Sequence, residues 1–147
     1  MVARRRMTQD ECPTARALDV VGDWWSLLIV RDAFDGATRF SEFQKRLGIA
    51  RNILTQRLRA LVDAGILELV RADAGSGWQD YRLTEKGRGL FPVIVALRQW
   101  GESHLFAPGE RHSRMVSRET GEPVGVRVQT ATGTTVAPEQ AAVLKLS

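Results

Sequence analysis

Residues 39–69 read RFSEFQKRLGIARNILTQRLRALVDAGILEL. The pattern predicts a short helix that a capping box at Ser41 and Gln44 begins, a tight turn at Gly48, and a second amphipathic helix that leads into a strand. From residue 39 to residue 59, six basic side chains and one acidic side chain give a net charge of +5, whereas the whole chain carries +4. A helix-turn-helix whose positive charge is concentrated on its second helix is typical of proteins that read the major groove of DNA.

The second helix of this segment, predicted over residues 50–64, has two different faces. Its apolar side chains are three or four positions apart and form one stripe, which consists of Ile53, Leu54, Leu58, Leu61 and Val62. The opposite face is predicted to read bases and consists of Arg51, Asn52, Thr55, Gln56 and Arg59. Asparagine and glutamine can make paired hydrogen bonds with adenine, arginine with guanine, and a threonine methyl group can contact thymine. The alternative is a face that is only solvated, because arginine is also a good helix former.

Two helices are predicted before this segment. Pro13 is favourable at the first position of a helix, and Gly22 should end the helix that it begins. Asp23 is suited to cap a second helix over residues 24–34, which is apolar on most sides. A helix of this composition is expected at the buried centre of the domain.

Two strands and a final helix are predicted after the segment. Residues 66–71 and 79–83 resemble the two strands of a hairpin that a glycine-rich turn connects. Thr84 should cap a last helix that continues to residue 105, and Pro92 should kink or split it. The fold class is therefore mostly α with a small β-hairpin wing, a winged helix-turn-helix over residues 12–105.

The two ends of the chain lie outside this predicted domain. Residues 1–11 are expected to form a flexible arm. Residues 106–147 should form a β-rich C-terminal extension, because valines alternate at residues 124, 126 and 128 after a turn at Gly121. This small β-hairpin could pack on a partner subunit or be a functionally silent extension.

Composition narrows the functional class. The pI of about 10 favours an anionic partner such as nucleic acid. A single cysteine excludes a disulfide framework within the chain, and neither histidine belongs to a motif of metal ligands. Phosphate-binding glycine loops and catalytic motifs are also absent, so neither an enzyme nor a metal or cofactor is predicted. No apolar run suggests a signal peptide or a membrane span, so a cytoplasmic protein is expected.

Several short motifs together resemble the HxlR family of bacterial regulators, a MarR-like branch of winged-helix repressors and activators. These motifs are Cys12-Pro13, Trp25, RFSEF at 39–43, LTQRLRAL at 54–61, Gly65, YRLTEKG at 81–87 and Trp100-Gly101. The resemblance covers about residues 12–104. It implies a homodimer, joined through the first and last helices, that binds a pseudo-palindromic operator in double-stranded DNA, most simply as a repressor. Half-sites one helical turn apart, ~34 Å, suit a two-fold dimer.

Other side chains around the helix-turn-helix are predicted to hold DNA phosphates. They are Arg39, Ser41, Lys45 and Arg57, with Arg71 and Arg82 at the base of the wing. The chain departs from the family pattern at Ala50, where members usually have a polar cap residue; an alanine there costs about 1 kcal/mol. The wing also departs from it, because Asp73, Trp78 and Asp80 lie between its two arginines without a base. An acidic wing tip should contact the minor groove poorly.

Two signal inputs are expected from the sequence. Cys12 is a candidate redox sensor, because the start of a helix favours a thiolate and because matching cysteines in some HxlR-type regulators sense quinones, aldehydes or oxidants. The acidic Asp10 and Glu11 oppose this, and a free cysteine is as often a small packed residue. The second input is a small aromatic ligand in an apolar cavity. Its predicted contacts are Trp24, Trp25, Phe34 and Trp100, whose alternative role is core packing.

A different functional class also stays open at this point. Some winged helices serve only as protein-interaction modules and bind no operator. Such a module should have a recognition face of mixed or acidic charge, whereas the predicted face here is basic. The sequence therefore favours a DNA-binding regulator.

Overall fold

The computed structural model describes residues 6–71 and 77–147. The chain forms two compact units, Met1–Phe91 and Pro92–Ser147. In chain order the elements are α1 (Pro13–Val21), α2 (Ser26–Phe34), α3 (Phe40–Leu47), α4 (Arg51–Asp63), β1 (Leu67–Arg71), β2 (Gln79–Leu83), α5 (Glu85–Arg88) and α6 (Phe91–His104), with a 3-10 turn at Pro138–Gln140. This order agrees with the predicted helix-turn-helix and wing.

The core of the first unit is built from the apolar faces of α2, α3 and α4. Ile29 and Val30 of α2 and Phe43 of α3 are fully buried. From α4, the side chains at residues 54, 58 and 61 are buried, so the predicted apolar stripe faces the core. Each such side chain contributes roughly 1.5–3 kcal/mol on burial. This packing sets the direction in which the opposite face of α4 points.

The start of α2 differs from the prediction. Oδ2 of Asp23 accepts hydrogen bonds from the backbone N–H groups of Trp25 and Ser26, at 3.0 Å each, so the aspartate caps as expected. The helix nevertheless begins only at Ser26, and Trp24 precedes it with 77% of its surface exposed. The physical reason is that a short aspartate side chain bonds nearby amides and holds them in a turn. The prediction that the whole of residues 24–34 is a buried helix was therefore wrong at its first turn.

The capping box predicted at Ser41 and Gln44 was also wrong. Helix α3 begins at Phe40, and Oε1 of Glu42 accepts the backbone N–H of Arg39 at 3.3 Å. Glutamate and glutamine suit the third helical position equally well, so the sequence allowed two registers. The ends of the helix-turn-helix were predicted correctly: Gly48 ends α3 in the left-handed region at φ 62°, and α4 starts without a side-chain cap.

The wing is an antiparallel pair of strands in which Leu67 lies opposite Leu83 and Leu69 opposite Tyr81. Strand β2 has the predicted bounds, and β1 begins one residue later than predicted. The backbone N–H of Tyr81 donates to the carbonyl oxygen of Thr38 at 2.7 Å, which ties β2 to the segment before α3. The turn of the wing, including Asp73, lies outside the described residues.

A tight junction joins the wing to α5 and to the end of α4. The Thr84 hydroxyl accepts the N–H of Gly87 at 3.0 Å, as predicted, and the N–H of Thr84 donates to the Ile66 carbonyl at 3.0 Å. A Cβ atom at Gly87 would lie 2.1 Å from that same oxygen, so only glycine fits here. Nζ of Lys86 donates to the carbonyl oxygen of Ala64 at 2.7 Å, at the C-terminus of α4. The TEKG sequence therefore fixes the position of the wing against α4.

The second unit begins where the predicted last helix is interrupted. Helices α5 and α6 are separate, and Pro92 occupies the first turn of α6, where its missing N–H costs nothing. The following chain is held on α6 by Gln99, whose Oε1 accepts the N–H of Val126 at 2.9 Å and whose Nε2 donates to its carbonyl oxygen at 3.3 Å. Arg98 also donates to the Ser113 hydroxyl at 2.7 Å.

The predicted C-terminal hairpin is reduced to two reverse turns. Each turn is closed by one isolated bridge, Val116 to Pro123 and Gln129 to Thr135, and all of residues 107–147 are described without an extended strand. The first turn contains Gly121, where the sequence predicted it. Pro123 cannot donate a backbone hydrogen bond, and the segment buries no apolar face, so a longer ladder gains little.

Candidate nucleic-acid interface

The outer face of α4 is a continuous polar surface. All five predicted base-reading side chains are exposed on it, and the buried leucines lie on the opposite side of the helix. The members of this recognition face are Arg51, Asn52, Thr55, Gln56 and Arg59. Each member lies three or four positions from at least one other member, and these spacings place them on one side of a helix.

The side chains of the recognition face are positioned differently. The Arg51 guanidinium lies 5.3 Å from the centre of the Phe40 ring, a cation–π contact that orients it from α3. The Thr55 hydroxyl donates to the Arg51 carbonyl oxygen at 2.9 Å, so its methyl group is the part left for a partner. Within the described residues, Asn52, Gln56 and Arg59 make no side-chain hydrogen bond or ion pair. Their donors and acceptors are therefore available to base edges.

Two of the predicted phosphate contacts lie on α3. Ser41 and Lys45 are exposed, and Lys45 has no ion-pair partner in the part of the chain that the structure describes. Arg46, one residue further, instead pairs with Asp35 at 3.2 Å. Lys45 is therefore the base of α3 that keeps its charge available.

Arg57 does not join this surface in the predicted way. Its Nε atom is buried and lies 3.6 Å from Oδ2 of Asp23, at the start of α2. Burial raises the pKa of Asp23, but hydrogen bonds from the hydroxyl and N–H of Ser26 and the N–H of Trp25, with the charge of Arg57, hold that pKa below its usual value. This geometry favours a role for Arg57 in joining α4 to α2 rather than in holding a phosphate.

The base of the wing contains a cluster that the sequence reasoning misread. Asp80 is buried, with its Oδ1 3.8 Å from Nε of Arg39 and its Oδ2 3.6 Å from Nη2 of Arg82. The Arg39 guanidinium also lies 5.4 Å from the centre of the Trp78 ring. Asp80 is therefore not part of an acidic wing tip but lies between two predicted phosphate contacts. The alternation of β2 could have indicated this, because Asp80 and Arg82 are on the same face of the strand.

Arg71 is the last predicted phosphate contact. It is exposed at the end of β1, opposite Gln79. A contact of Arg71 with the DNA backbone stays a prediction.

Cys12 is exposed and occupies the N-cap position of α1, as predicted. Its backbone N–H donates to Oδ1 of Asp10 at 2.9 Å, and Nε of Arg16 donates to the Asp10 carbonyl oxygen. The thiol therefore lies at a helix start where solvent reaches it, and Asp10 is engaged by the backbone beside it.

The four predicted ligand contacts differ in their exposure. Trp24 and Trp100 are exposed by 77% and 58%, and Trp25 is half-buried. Phe34 lines a cavity of about 280 Å³ with Arg88 and Phe91, and the two phenylalanine rings have their centres 5.3 Å apart. The tryptophans are not among its lining residues.

The described residues contain no group of three or more acidic, histidine or cysteine side chains placed to hold a metal ion. None of their helices is both long and apolar enough to cross a membrane.

Comparison with known proteins assigns this architecture to a family. Residues 20–108 match the family described as HxlR-like helix-turn-helix. The chain is similar to Rv3095 of Mycobacterium tuberculosis, an uncharacterised HTH-type transcriptional regulator, with 47% identity over 93 residues. That match spans 63% of the present chain and 59% of the mycobacterial protein.

Solved structures extend the similarity to the fold. PA1607, a candidate transcription factor, is 55% identical and superposes with a TM-score of 0.89, covering 95% of this chain and 98% of that one. The redox regulator HypR in its reduced form is 34% identical with a TM-score of 0.59, covering 64% of this chain and 94% of that one. These similarities confirm the predicted winged-helix class for the helix-turn-helix region, and the match to PA1607 includes most of the second unit as well.

Proposed function

The chain belongs to the HxlR-like helix-turn-helix family, and from this premise we propose that it regulates transcription by binding a pseudo-palindromic operator as a homodimer. The observation that carries the proposal is the recognition face of α4, where exposed amide and guanidinium groups stand above a buried apolar stripe. These are the side chains that suit the donor and acceptor pattern of the major groove. The relatives that the chain matches are regulators rather than enzymes, in agreement with the prediction from the sequence.

The proposal divides the basic side chains into two roles. The recognition face reads bases, because its groups lie on the helix that enters the groove. Phosphates are held by side chains at its edges, which are Arg39, Ser41, Lys45, Arg71 and Arg82. Arg57, whose guanidinium pairs with Asp23, is assigned to the packing of α4 instead.

Homodimer formation is supported by the apolar surface of α6. Val93, Leu97 and Trp100 are four and three positions apart on this helix, and each is exposed by two-fifths or more. A helix that exposes such a stripe in a protomer is stabilised when a second copy covers it. Two-fold pairing would place one recognition helix in each of two successive major grooves, ~34 Å apart.

The input signal is proposed to be an oxidant or electrophile that reacts at Cys12. The thiol is exposed at the start of α1, and HypR, a similar protein, is a redox regulator with structures in reduced and oxidised forms. A change at Cys12 would shift α1, and a change of a few ångströms in half-site spacing would prevent paired entry into the grooves. A repressor of this kind releases its operator when the thiol is modified.

A second candidate input is a small aromatic ligand. The cavity at Phe34 and Phe91 offers two rings for stacking, and Arg88 adds a positive charge at its edge. This site would need no thiol, so its inducers would act equally on a cysteine-free variant.

The test is DNA binding to the region upstream of the chain's own gene, by mobility shift, with reduced and diamide-treated protein. Wild type should bind when reduced and lose binding after oxidation, whereas Cys12→Ser should bind under both conditions. If neither the oxidant nor the Cys12→Ser substitution changes DNA binding, the thiol switch is excluded and the aromatic ligand is favoured as the input. A chain that shifts no genomic fragment would instead be a protein-interaction module.

A further inference from the structure

One acidic side chain lies within the proposed DNA-binding surface. Asp80 has a side chain that is 11% exposed, whereas the Arg39 and Arg82 side chains beside it are 46% and 51% exposed. Its Oδ1 atom is buried and accepts no hydrogen bond from the described residues, so the nearby arginine charge is what compensates it. A buried carboxylate is normally paired with a positive charge, because a buried charge without a compensating partner is costly.

The two arginines approach different oxygens of this carboxylate. Nε of Arg39 is 3.8 Å from Oδ1, and Nη2 of Arg82 is 3.6 Å from Oδ2. Each guanidinium has five N–H donors in a rigid plane, so one edge can face Asp80 while the remaining donors stay available. Both half-exposed guanidinium groups thereby approach the same carboxylate, and the cluster keeps a net charge of +1.

Trp78 supports this arrangement from the wing. The Arg39 guanidinium carbon lies 5.4 Å from the centre of its ring, so the arginine is oriented by a ring contact and by a carboxylate. Trp78 also stands at the position where the sequence departed from the family pattern. The departure places an aromatic surface beside the arginine of the helix-turn-helix.

We propose that Asp80 is a positioning residue that holds Arg39 and Arg82 as a clamp for one phosphate group of the DNA backbone. Planar guanidinium groups match the oxygens of a phosphate, and two of them converging from one carboxylate provide paired donors. The clamp joins the helix-turn-helix, through Arg39, to the wing, through Arg82. This inference rests on the proposed DNA-binding function.

The clamp and simple charge counting predict opposite effects on DNA affinity when the charge of Asp80 is removed. Replacing an acid by a neutral residue on a DNA-binding surface should strengthen binding, because the net positive charge rises. Asp80→Asn is instead expected to weaken binding to operator and to random DNA alike, by about tenfold. It should also reduce the slope of log K against log salt by about one, which is the value for the loss of one phosphate contact. A phosphate contact carries no sequence information, so the ratio of operator to random affinity should not change.

A matched control is available in Asp63→Asn. Asp63 is an exposed acid at the far end of α4, and its replacement makes the same change in charge without touching the clamp. Its binding should be equal to that of wild type or slightly tighter. The two variants together separate positioning of the arginines from the general electrostatic field.

A double-mutant cycle separates the clamp from a merely structural role. In an Arg39→Ala/Arg82→Ala background, Asp80→Asn should cause no further loss of affinity, because the side chains through which it acts are gone. If Asp80→Asn does not fold, Arg39→Lys keeps the charge but not the planar fork, and binding several-fold weaker than wild type is expected.

The outcomes distinguish the clamp from the proposed function. If wild type binds DNA and Asp80→Asn binds it equally well or more tightly, the clamp is overturned but the proposed function is not. A loss that persists in the double-arginine background, or an Arg39→Lys variant that binds like wild type, also overturns it. Wild type that binds no DNA overturns the proposed function and the clamp with it.

Discussion

Replacing Gly87 by alanine should destabilise the first unit severely. The new Cβ atom would lie 2.1 Å from the carbonyl oxygen of Ile66 and 3.1 Å from Cδ2 of Leu83. Because non-bonded heavy atoms need roughly 3.5 Å, the turn that begins α5 would have to move away from Ile66, the residue before β1, by about 1 Å or more. The obstacle is backbone, which cannot rotate aside as a flexible side chain can.

The magnitude follows from what this movement breaks. The hydrogen bond from the Thr84 N–H to the Ile66 carbonyl is worth about 1 kcal/mol. The Thr84 cap on Gly87 is worth about 1 kcal/mol more. Residual overpacking adds roughly 1–3 kcal/mol, so a total loss of about 3–5 kcal/mol in the free energy of unfolding is expected. For a chain of this size the midpoint of thermal unfolding should fall by roughly 10 °C or more.

The assay is thermal and urea unfolding followed by circular dichroism, with Gly101→Ala as the control. Gly101 lies within α6, and a Cβ atom there would meet nothing within 4 Å in the protomer. The same substitution should therefore stabilise the helix by about 0.5–1 kcal/mol. A Gly87→Ala variant that unfolds within about 2 °C of wild type would refute the close approach of α5 to the Ile66 carbonyl as an energetic constraint.

Four further variants test the site, the stability of the first unit and the assembly. Arg51→Ala should lose about 1–3 kcal/mol of base discrimination, whereas Lys45→Ala should weaken all sequences alike and lower the salt slope by about one; titrations of operator and random DNA at several salt concentrations check both. Asp23 has a lowered pKa, so its contribution to stability is complete above the pKa of the unfolded state and is lost as the pH falls through the lower folded value. Asp23→Asn should therefore be less stable than wild type at neutral pH, and urea unfolding between pH 2 and pH 7 should show the difference shrinking in acid; a difference that grows there would contradict this sign. Leu97→Glu should place a charge on the exposed stripe of α6 and yield monomers in light scattering, and a variant that stays dimeric would place the subunit interface elsewhere.

Local sequence signals predicted the ends of most elements. Pro13 and Gly22 mark the ends of α1, Gly48 ends α3, and Thr84 caps α5, all as expected. These signals act over one turn of backbone, because a proline, a left-handed glycine or a capping hydroxyl changes only its neighbours. Where two residues could serve the same local role, as Glu42 and Gln44 could, the sequence did not decide between them.

The roles of individual charged side chains were harder to predict. The sequence placed Arg57 on phosphates and Asp80 in an acidic wing tip, but the first pairs with Asp23 and the second lies between Arg39 and Arg82. Arg57 and Asp23, like Arg39 and Asp80, are far apart along the chain, whereas Asp80 and Arg82 are two positions apart on one strand. No periodicity or motif reports which distant charges meet after folding.

The sequence by itself determined the class of this protein, its helix-turn-helix and the composition of its recognition face, because apolar periodicity decides which side of α4 is buried and therefore which side chains remain outside. Only the tertiary structure decided that the predicted C-terminal strands are single bridges, that Trp24 and Trp100 are exposed, and which arginines pair with carboxylates. The physical reason is that burial and ion pairing depend on the packing of whole elements, whereas helical periodicity and capping depend on neighbours within a few residues.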